Sequence, residues 1–203
     1  MLMDTIKGYV NFVLNYDKDL IDRTGGPFTV LECELTHDRL AMPMGGVKFN
    51  FTYKPDRVDR LADGTVRIVD YKTGNERMSF STMDDLFDPT NSNQGEGILQ
   101  VMLYCYAYLL EKKELSSVTP VIYKVASMKE SGVKYKPPGR GTVERQVVFS
   151  MDDDMCRDYI ARMAGTIGDI FTKDFEQCDE SAGSCRYCRF IDFCRRAVVE
   201  VDY

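Results

Sequence analysis

Apolar residues follow two spacings along the chain, and each spacing predicts its own elements. Helical spacing predicts helices over 1–20, 98–110 and 150–171. Strand-like runs predict strands over 28–35, 47–53, 66–71, 118–125 and 143–149. The strand over 47–53 is expected to run on into Asp56 and Val58. This mixture predicts an α/β (α+β) fold in which helices pack on a central, mostly antiparallel sheet.

The connections between these elements are polar, apart from one tight turn. Ala62-Asp63-Gly64 is a hairpin turn, so the strand before it and the strand over 66–71 are expected to pair. The stretch over 73–97 is rich in Asp, Asn and Ser, which predicts a long, mobile connection. The helix over 98–110 is apolar on nearly every side and is therefore expected to be buried.

The charge of the chain bears on its partners. The net charge is −6 and the isoelectric point is about 4.9, whereas phosphate binding usually goes with a basic surface. Basic residues nevertheless concentrate between Lys124 and Arg145 and again between Arg186 and Arg196. Each stretch is as consistent with solvated loops as with phosphate contacts.

The chain has no apolar run of the roughly 20 residues that a membrane helix needs, and its first residues do not form a signal peptide. We therefore expect a cytoplasmic protein without a membrane partner. Its seven cysteines are odd in number, which argues against a disulfide framework. Four of them follow Gln177, which favours metal binding there.

Two acids and a lysine are predicted to meet at the hairpin. Asp56 precedes the turn and Asp70 follows it, so antiparallel pairing of the two strands brings them together. Asp70 and Lys72 are two residues apart on one strand and so project from the same face. An Asp and a Lys at this spacing often form only a surface ion pair. The apolar strand before them and the second acid across the hairpin favour a chemical site instead.

Two carboxylates are the hard oxygen ligands that Mg²⁺ or Mn²⁺ prefers. We expect Asp56 and Asp70 to bind the ion, with the backbone carbonyl of Tyr71 as a further ligand. Lys72 is expected to orient the attacking water or to stabilise the transition state of a scissile phosphate.

The order and spacing of Asp56-Arg57-Val58-Asp59 and of the run from Ile68 to Gly74 resemble the RecB-like branch of the PD-(D/E)xK nuclease superfamily. That branch includes the C-terminal nuclease domains of AddB-type helicase–nuclease subunits. The resemblance implies a restriction-endonuclease-like core. It also implies a Gln-x-x-x-Tyr motif beside the active site that helps to bind DNA, and Gln100 and Tyr104 match this motif.

The resemblance also implies an N-terminal helix whose His or Glu completes the metal site. His37 is the only histidine, and Glu34 is a better-placed acid, but neither lies on such a helix. We therefore expect the nuclease core, 1–177, to lack this helix and to be the C-terminal piece of a longer protein. The isolated chain should then be weakly active or inactive. The remainder, 178–203, is interpreted as a cysteine-rich tail of the same domain.

The spacing Cys185-x-x-Cys188-x5-Cys194 resembles the C-terminal cysteines of iron–sulphur nucleases of the same superfamily. This implies a [4Fe–4S] cluster, with Cys178 as a possible fourth ligand. Zinc, or packing without any metal, are alternatives of comparable weight.

The leading hypothesis is a metal-dependent DNA exonuclease domain of a helicase–nuclease type repair protein. The resemblance implies single-stranded DNA or DNA ends as the substrate and a helicase subunit or domain as the partner. The alternatives are a non-catalytic DNA-binding or scaffolding domain and a zinc-binding interaction module.

Overall fold

The computed structural model describes residues 2–44, 47–74, 76–88, 95–125, 131–174, 189 and 191–194. The chain divides into two units, Met1–Gly165 and Thr166–Tyr203. The helices are α1 (Leu2–Thr24), α2 (Met83–Phe87), α3 (Glu96–Glu111) and α4 (Asp154–Thr172). The strands are β1 (Thr29–Cys33), β2 (His37–Met44), β3 (Val47–Tyr53), β4 (Arg57–Arg60), β5 (Val66–Lys72), β6 (Ser79–Phe80), β7 (Ser117–Lys124), β8 (Lys134–Tyr135), β9 (Arg145–Gln146) and β10 (Phe149–Ser150).

The central sheet has five strands in the order β1-β4-β5-β7-β10. Among the described pairs of this sheet, only β5 and β7 run parallel, because α3 lies between them in the chain and returns it to the same end of the sheet. The other three neighbouring pairs are antiparallel. The prediction of a mixed α/β fold with a mostly antiparallel central sheet is therefore confirmed.

The turn between β4 and β5 forms where the sequence predicts it. Gly64 has a φ of +90°, a conformation that side chains disfavour, and Asp63 Oδ1 accepts the N–H of Thr65 at 2.9 Å. The antiparallel register then pairs Arg57 with Val69. The residue before Arg57 is thereby placed beside the last residues of β5.

The two faces of the central sheet bury different side chains. Val69 and Tyr123 form a core cluster with Val13 and Tyr16 of α1 on one face. Ile68 and Ile122 alternate with them along the strands, so they lie on the other face, where Ile122 approaches Gly97 at the start of α3. Successive residues of β5 therefore face α1 and α3 in turn.

The strand over 47–53 does not continue into Asp56. It ends at Tyr53 as β3 and pairs with β2 in a separate two-stranded sheet. Pro55 follows, and because proline has no N–H and restricts the residue before it, the chain breaks there and restarts as β4.

The polar stretch over 73–97 and the strand predicted over 143–149 also differ from expectation. The first contains β6 and the short helix α2, whose N-cap Thr82 accepts the N–H of Asp85. The second is divided into β9 and β10. β9 pairs with β8 in a three-stranded sheet, whereas β10 pairs with β7 in the central sheet.

Helix α4 begins after Asp153, whose Oδ1 accepts the N–H of Met155 at 2.9 Å. Its buried Tyr159 donates a hydrogen bond to the carbonyl of Leu99 at 2.7 Å and so attaches the first part of α4 to α3. Within the described part of the chain, no helix is both long enough and apolar enough to cross a membrane.

Candidate active site

Asp56 lies immediately before β4, next to the end of β5. Its Oδ2 accepts a hydrogen bond from the backbone N–H of Tyr71 at 2.7 Å, and its carbonyl accepts one from the N–H of Glu34 at 3.0 Å. These two bonds attach the loop before β4 to the strands on both sides. The Asp56 carboxylate is therefore held beside Asp70 and Lys72, as the hairpin predicts.

The remaining predicted side chains form one connected series. Lys72 Nζ lies 3.0 Å from Asp70 Oδ2 and donates a hydrogen bond to Gln100 Oε1 at 2.6 Å. Gln100 Nε2 in turn donates to the Tyr104 hydroxyl at 2.8 Å. Gln100 and Tyr104 are four residues apart on α3, so both project from the helix toward β5. The structure thus brings together Asp70, Lys72, Gln100 and Tyr104.

Asp70 is the most strongly perturbed acid of this group. It is only 3% exposed, and burial raises the pKa of its carboxyl to about 6. The ion pair with Lys72 opposes this rise, whereas the negative charges of Asp56 and Glu76 add to it. Its buried Oδ2 accepts no hydrogen bond of normal geometry, although the Lys72 ammonium is close. Asp70 therefore has an oxygen available for a cation.

The backbone of Tyr71 points toward Asp56. Its N–H is the donor to Asp56, and the N–H and C=O of one strand residue point to the same side of the strand. Pairing between β4 and β5 ends at Val69, so the Tyr71 carbonyl lies beyond the last paired residue of that ladder.

These donors fit a hard divalent cation. Two carboxylates and a carbonyl are oxygen ligands of the kind that Mg²⁺ and Mn²⁺ prefer, and Asp70 Oδ2 has only the ion pair with Lys72 as a polar contact. Among the described residues, no three His, Cys, Asp or Glu side chains converge into a ready three-ligand site. The arrangement suits an ion that has few direct protein ligands and retains several waters.

Glu76 is an acid near the site that the sequence analysis does not single out. It follows β5 in the polar stretch after Lys72, and its charge raises the pKa of Asp70. A Cβ placed on Gly97 would lie 3.1 Å from Glu76 Oε2 and 3.3 Å from Lys72 Cε. Nothing in the local sequence separates Glu76 from its polar neighbours, because its position depends on the start of α3.

A second polar cluster lies on the opposite face of β4 and β5. Asp59 is fully buried and accepts two hydrogen bonds from Arg67, both at 2.7 Å. Asp17 of α1 binds Arg57 through two bonds of 2.7 and 3.0 Å and accepts a third from the hydroxyl of Tyr123 at 2.9 Å. In the sequence, this cluster is indicated by charged residues that alternate with apolar residues along the two strands.

His37 lies on β2, and both of its ring nitrogens have carboxylate partners. Nε2 lies 2.9 Å from Glu32 and Nδ1 lies 2.8 Å from Glu111, while the ring stacks on Tyr53. Glu34, the other candidate for the additional ligand, pairs with Lys54 through its side chain. Neither side chain joins the contacts that connect Asp70, Lys72, Gln100 and Tyr104.

The cysteine tail lies largely outside the described residues. Cys178, Cys185 and Cys188 are not described, and Cys194 is partly exposed. The proposed cluster ligands therefore remain a prediction from sequence spacing.

The model of the PD-(D/E)XK nuclease superfamily matches residues 4–195 of the chain. The chain therefore belongs to this superfamily, and its mixed sheet flanked by helices agrees with a restriction-endonuclease-like fold. No curated protein matches the chain. Among solved structures it is similar to SSO0001, with 15% identity and a TM-score of 0.41 over 94% of this chain and 70% of that one.

Proposed function

We propose that this protein is a metal-dependent DNA nuclease. Its active site, formed by Asp56, Asp70 and Lys72, hydrolyses the phosphodiester bonds of DNA. Membership of a nuclease superfamily supports the reaction class. The observation that supports the site most directly is the buried Asp70 carboxylate, whose Oδ2 accepts no hydrogen bond of normal geometry. A protein that keeps such a group ionised sacrifices stability, which is typical of functional sites.

Asp56, Asp70 and the carbonyl of Tyr71 would hold Mg²⁺ or Mn²⁺. When bound, the ion supplies a water of lowered pKa and offsets negative charge on the phosphate. The N–H of Tyr71 fixes the orientation of the Asp56 carboxylate. The β-hairpin holds Asp70 on a rigid strand, so both acids are positioned before substrate arrives.

Lys72 stabilises the negative charge that develops as the phosphodiester is attacked. Its ammonium lies between Asp70 and Gln100, and the hydrogen bond to Gln100 holds it at the site. Gln100 and Tyr104 lie beside the reacting groups and contribute to DNA binding.

The finer assignment is an exonuclease of the RecB-like, AddB-type branch that acts on single-stranded DNA or DNA ends with a helicase partner. Its support is the sequence order of the two acids, the lysine and the Gln-x-x-x-Tyr pair. The contact between Lys72 and Gln100 joins the two halves of that motif in space.

The cysteine tail is proposed to bind a [4Fe–4S] cluster through Cys185, Cys188 and Cys194, with Cys178 as the fourth ligand. The support is the spacing of these residues. Analysis of purified protein for iron and acid-labile sulphide tests this separately from the nuclease activity. Zinc, or no metal at all, would overturn it.

The nuclease assignment is tested with Asp70→Ala, using Mn²⁺ and single-stranded DNA. Cleavage should fall by more than about 100-fold, because the ion loses a ligand that acts in the transition state. Glu114→Gln is the matched control, since it removes an exposed acid beyond the far end of α3. Circular dichroism checks that both variants fold. Wild-type cleavage by Asp70→Ala would overturn the catalytic assignment.

A further inference from the structure

We propose that the Glu76 carboxylate strengthens cation binding at this site through its charge and that Gly97 provides the space for it. This inference rests on the proposed function, because it assumes that Asp56 and Asp70 bind the ion. It adds a residue that the motif does not include. It also assigns a role to a glycine at the start of the helix that bears Gln100 and Tyr104.

The position of Glu76 depends on the missing side chain of Gly97. A Cβ at Gly97 would lie 3.1 Å from Glu76 Oε2, 3.3 Å from Lys72 Cε and 3.3 Å from Ile122 Cδ1. Contacts that short are tighter than side chains normally accept. The Glu76 carboxylate and the Lys72 stem therefore share the space over the bare backbone of α3.

Within the part of the chain that the structure describes, no ion pair neutralises the Glu76 carboxylate. Among the described residues, no side chain forms an ion pair or hydrogen bond with it, although Lys124 Nζ lies 3.5 Å from its backbone carbonyl. The nearby Lys72 ammonium is already placed between Asp70 and Gln100. Three acids, Asp56, Asp70 and Glu76, therefore outnumber the two nearby ammonium groups, those of Lys72 and Lys124.

A separate observation also indicates that the excess negative charge at this site favours the binding of a cation. The side chain of Asp70 is only 5% exposed, and its Oδ2 accepts no hydrogen bond of normal geometry. Burying a carboxylate without full compensation is costly unless a cation completes the site. Glu76 contributes to the same unbalanced charge.

Glu76 acts mainly through its charge. The described acids do not converge into a three-ligand cluster, which suits an ion that retains several of its waters. A carboxylate a few ångströms beyond the direct ligands still attracts a divalent ion in a partly desolvated site. Its removal should weaken binding by about five- to tenfold, which is less than the loss of a direct ligand.

The experiment is titration of the full chain with Mn²⁺, followed by calorimetry and by electron paramagnetic resonance of the free ion. Glu76→Gln should weaken Mn²⁺ binding about five- to tenfold. Glu76→Asp keeps the charge and should recover part of the affinity. Gly97→Ala should weaken binding in the same direction, because its Cβ crowds the Glu76 carboxylate and the Lys72 stem while leaving every charge in place.

Two further variants separate this inference from the proposed function. Glu114→Gln removes the same charge from a distant, exposed position and should bind Mn²⁺ like the wild type. Asp70→Asn should reduce binding much more than Glu76→Gln. If Glu76→Gln behaves like Glu114→Gln while Asp70→Asn loses binding, the role of Glu76 is wrong and the site stands. If Asp70→Asn also binds normally, the metal site itself is wrong.

Discussion

The two faces of the β4–β5 hairpin both bury carboxylates, but only one face balances their charge. On the face toward α1, Asp59 binds Arg67 and Asp17 binds Arg57, each through two hydrogen bonds. On the face toward α3, the acids Asp56, Asp70 and Glu76 outnumber the ammonium groups of Lys72 and Lys124. One Asp70 oxygen there has no hydrogen bond of normal geometry.

This difference separates a structural cluster from a chemical one. Buried ion pairs whose charges balance hold the elements in register, and removing one partner is severely destabilising. A group of acids whose negative charge is not balanced lowers the stability of the metal-free protein. The same excess charge favours the binding of a cation. Substitutions on the two faces should therefore change stability in opposite directions.

Asp59→Asn should cause the largest loss of stability. It leaves Arg67, which is only 5% exposed, without its carboxylate in the interior of the protein. The expected loss is about 3–5 kcal/mol in the free energy of unfolding, measured by urea denaturation. Asp152→Asn, an exposed acid before α4, serves as the control. If Asp59→Asn lowers the free energy of unfolding no more than the control does, the face toward α1 does not differ from the face toward α3 in its contribution to stability.

Asp70→Asn should instead stabilise the metal-free protein at neutral pH. Burial raises the pKa of Asp70 from 3.8 to about 6, so the ionised carboxylate is less stable in the folded chain than in water. A neutral amide of similar shape avoids this cost, which is roughly 1–3 kcal/mol and already includes the opposing ion pair with Lys72. Urea denaturation with a chelator present measures the effect. A clear loss of stability would show that Asp70 is a structural ion-pair partner like Asp59.

The same shift predicts a pH dependence. The pKa of Asp70 is higher in the folded protein than in the unfolded chain. Between pH 3.8 and a pH of about 6, the folded protein therefore keeps a proton on Asp70 that the unfolded chain has lost. The stability from the protonated carboxyl is fully present below the unfolded pKa and is lost as pH rises through about 6. The advantage of Asp70→Asn over the wild type should therefore shrink as pH is lowered from about 8 to about 5.

Lowering the pH should weaken metal binding, although it stabilises the metal-free protein at Asp70. The carboxylate must lose its proton to bind the ion, so Mn²⁺ affinity should fall as pH drops below about 6. Unchanged Mn²⁺ affinity across this range would contradict the assignment of Asp70 as a ligand.

Local sequence patterns predict one half of the candidate site. The alternation in β5 and the turn at Asp63-Gly64 predict that Asp56, Asp70 and Lys72 come together, because hairpin register is a local property. The four-residue spacing of Gln100 and Tyr104 likewise predicts a shared helix face. The contact of that face with Lys72 came from family resemblance, since no local rule predicts where α3 packs.

Non-local features were missed for the same reason. The Glu76 carboxylate lies where a Cβ on Gly97, from a different element, would be only 3.1 Å away. Asp17 lies on an amphipathic helix among other polar residues, and its pairing with Arg57 depends on where α1 docks. The break between β3 and β4 could have been predicted from Pro55, whose missing N–H argues against a continuous strand.

Tyr104→Phe should have the smallest effect, because it removes one hydroxyl from the end of the series of contacts. The hydroxyl accepts a hydrogen bond from Gln100 Nε2 at 2.8 Å, and Gln100 accepts one from Lys72 at 2.6 Å. Loss of one such bond is worth about 0.5–1.5 kcal/mol, so cleavage should slow by about two- to tenfold. Mn²⁺ affinity should not change, because neither Tyr104 nor Gln100 belongs to the proposed ligand set.

Tyr106→Phe is the matched control for this prediction. It removes a hydroxyl from the same helix, but that hydroxyl donates to the carbonyl of Pro43 rather than to Gln100. Single-turnover cleavage of single-stranded DNA by the two variants isolates the contribution of the Gln100 contact. If Tyr106→Phe slows cleavage as much as Tyr104→Phe, the effect belongs to the packing of α3 and not to the positioning of Lys72.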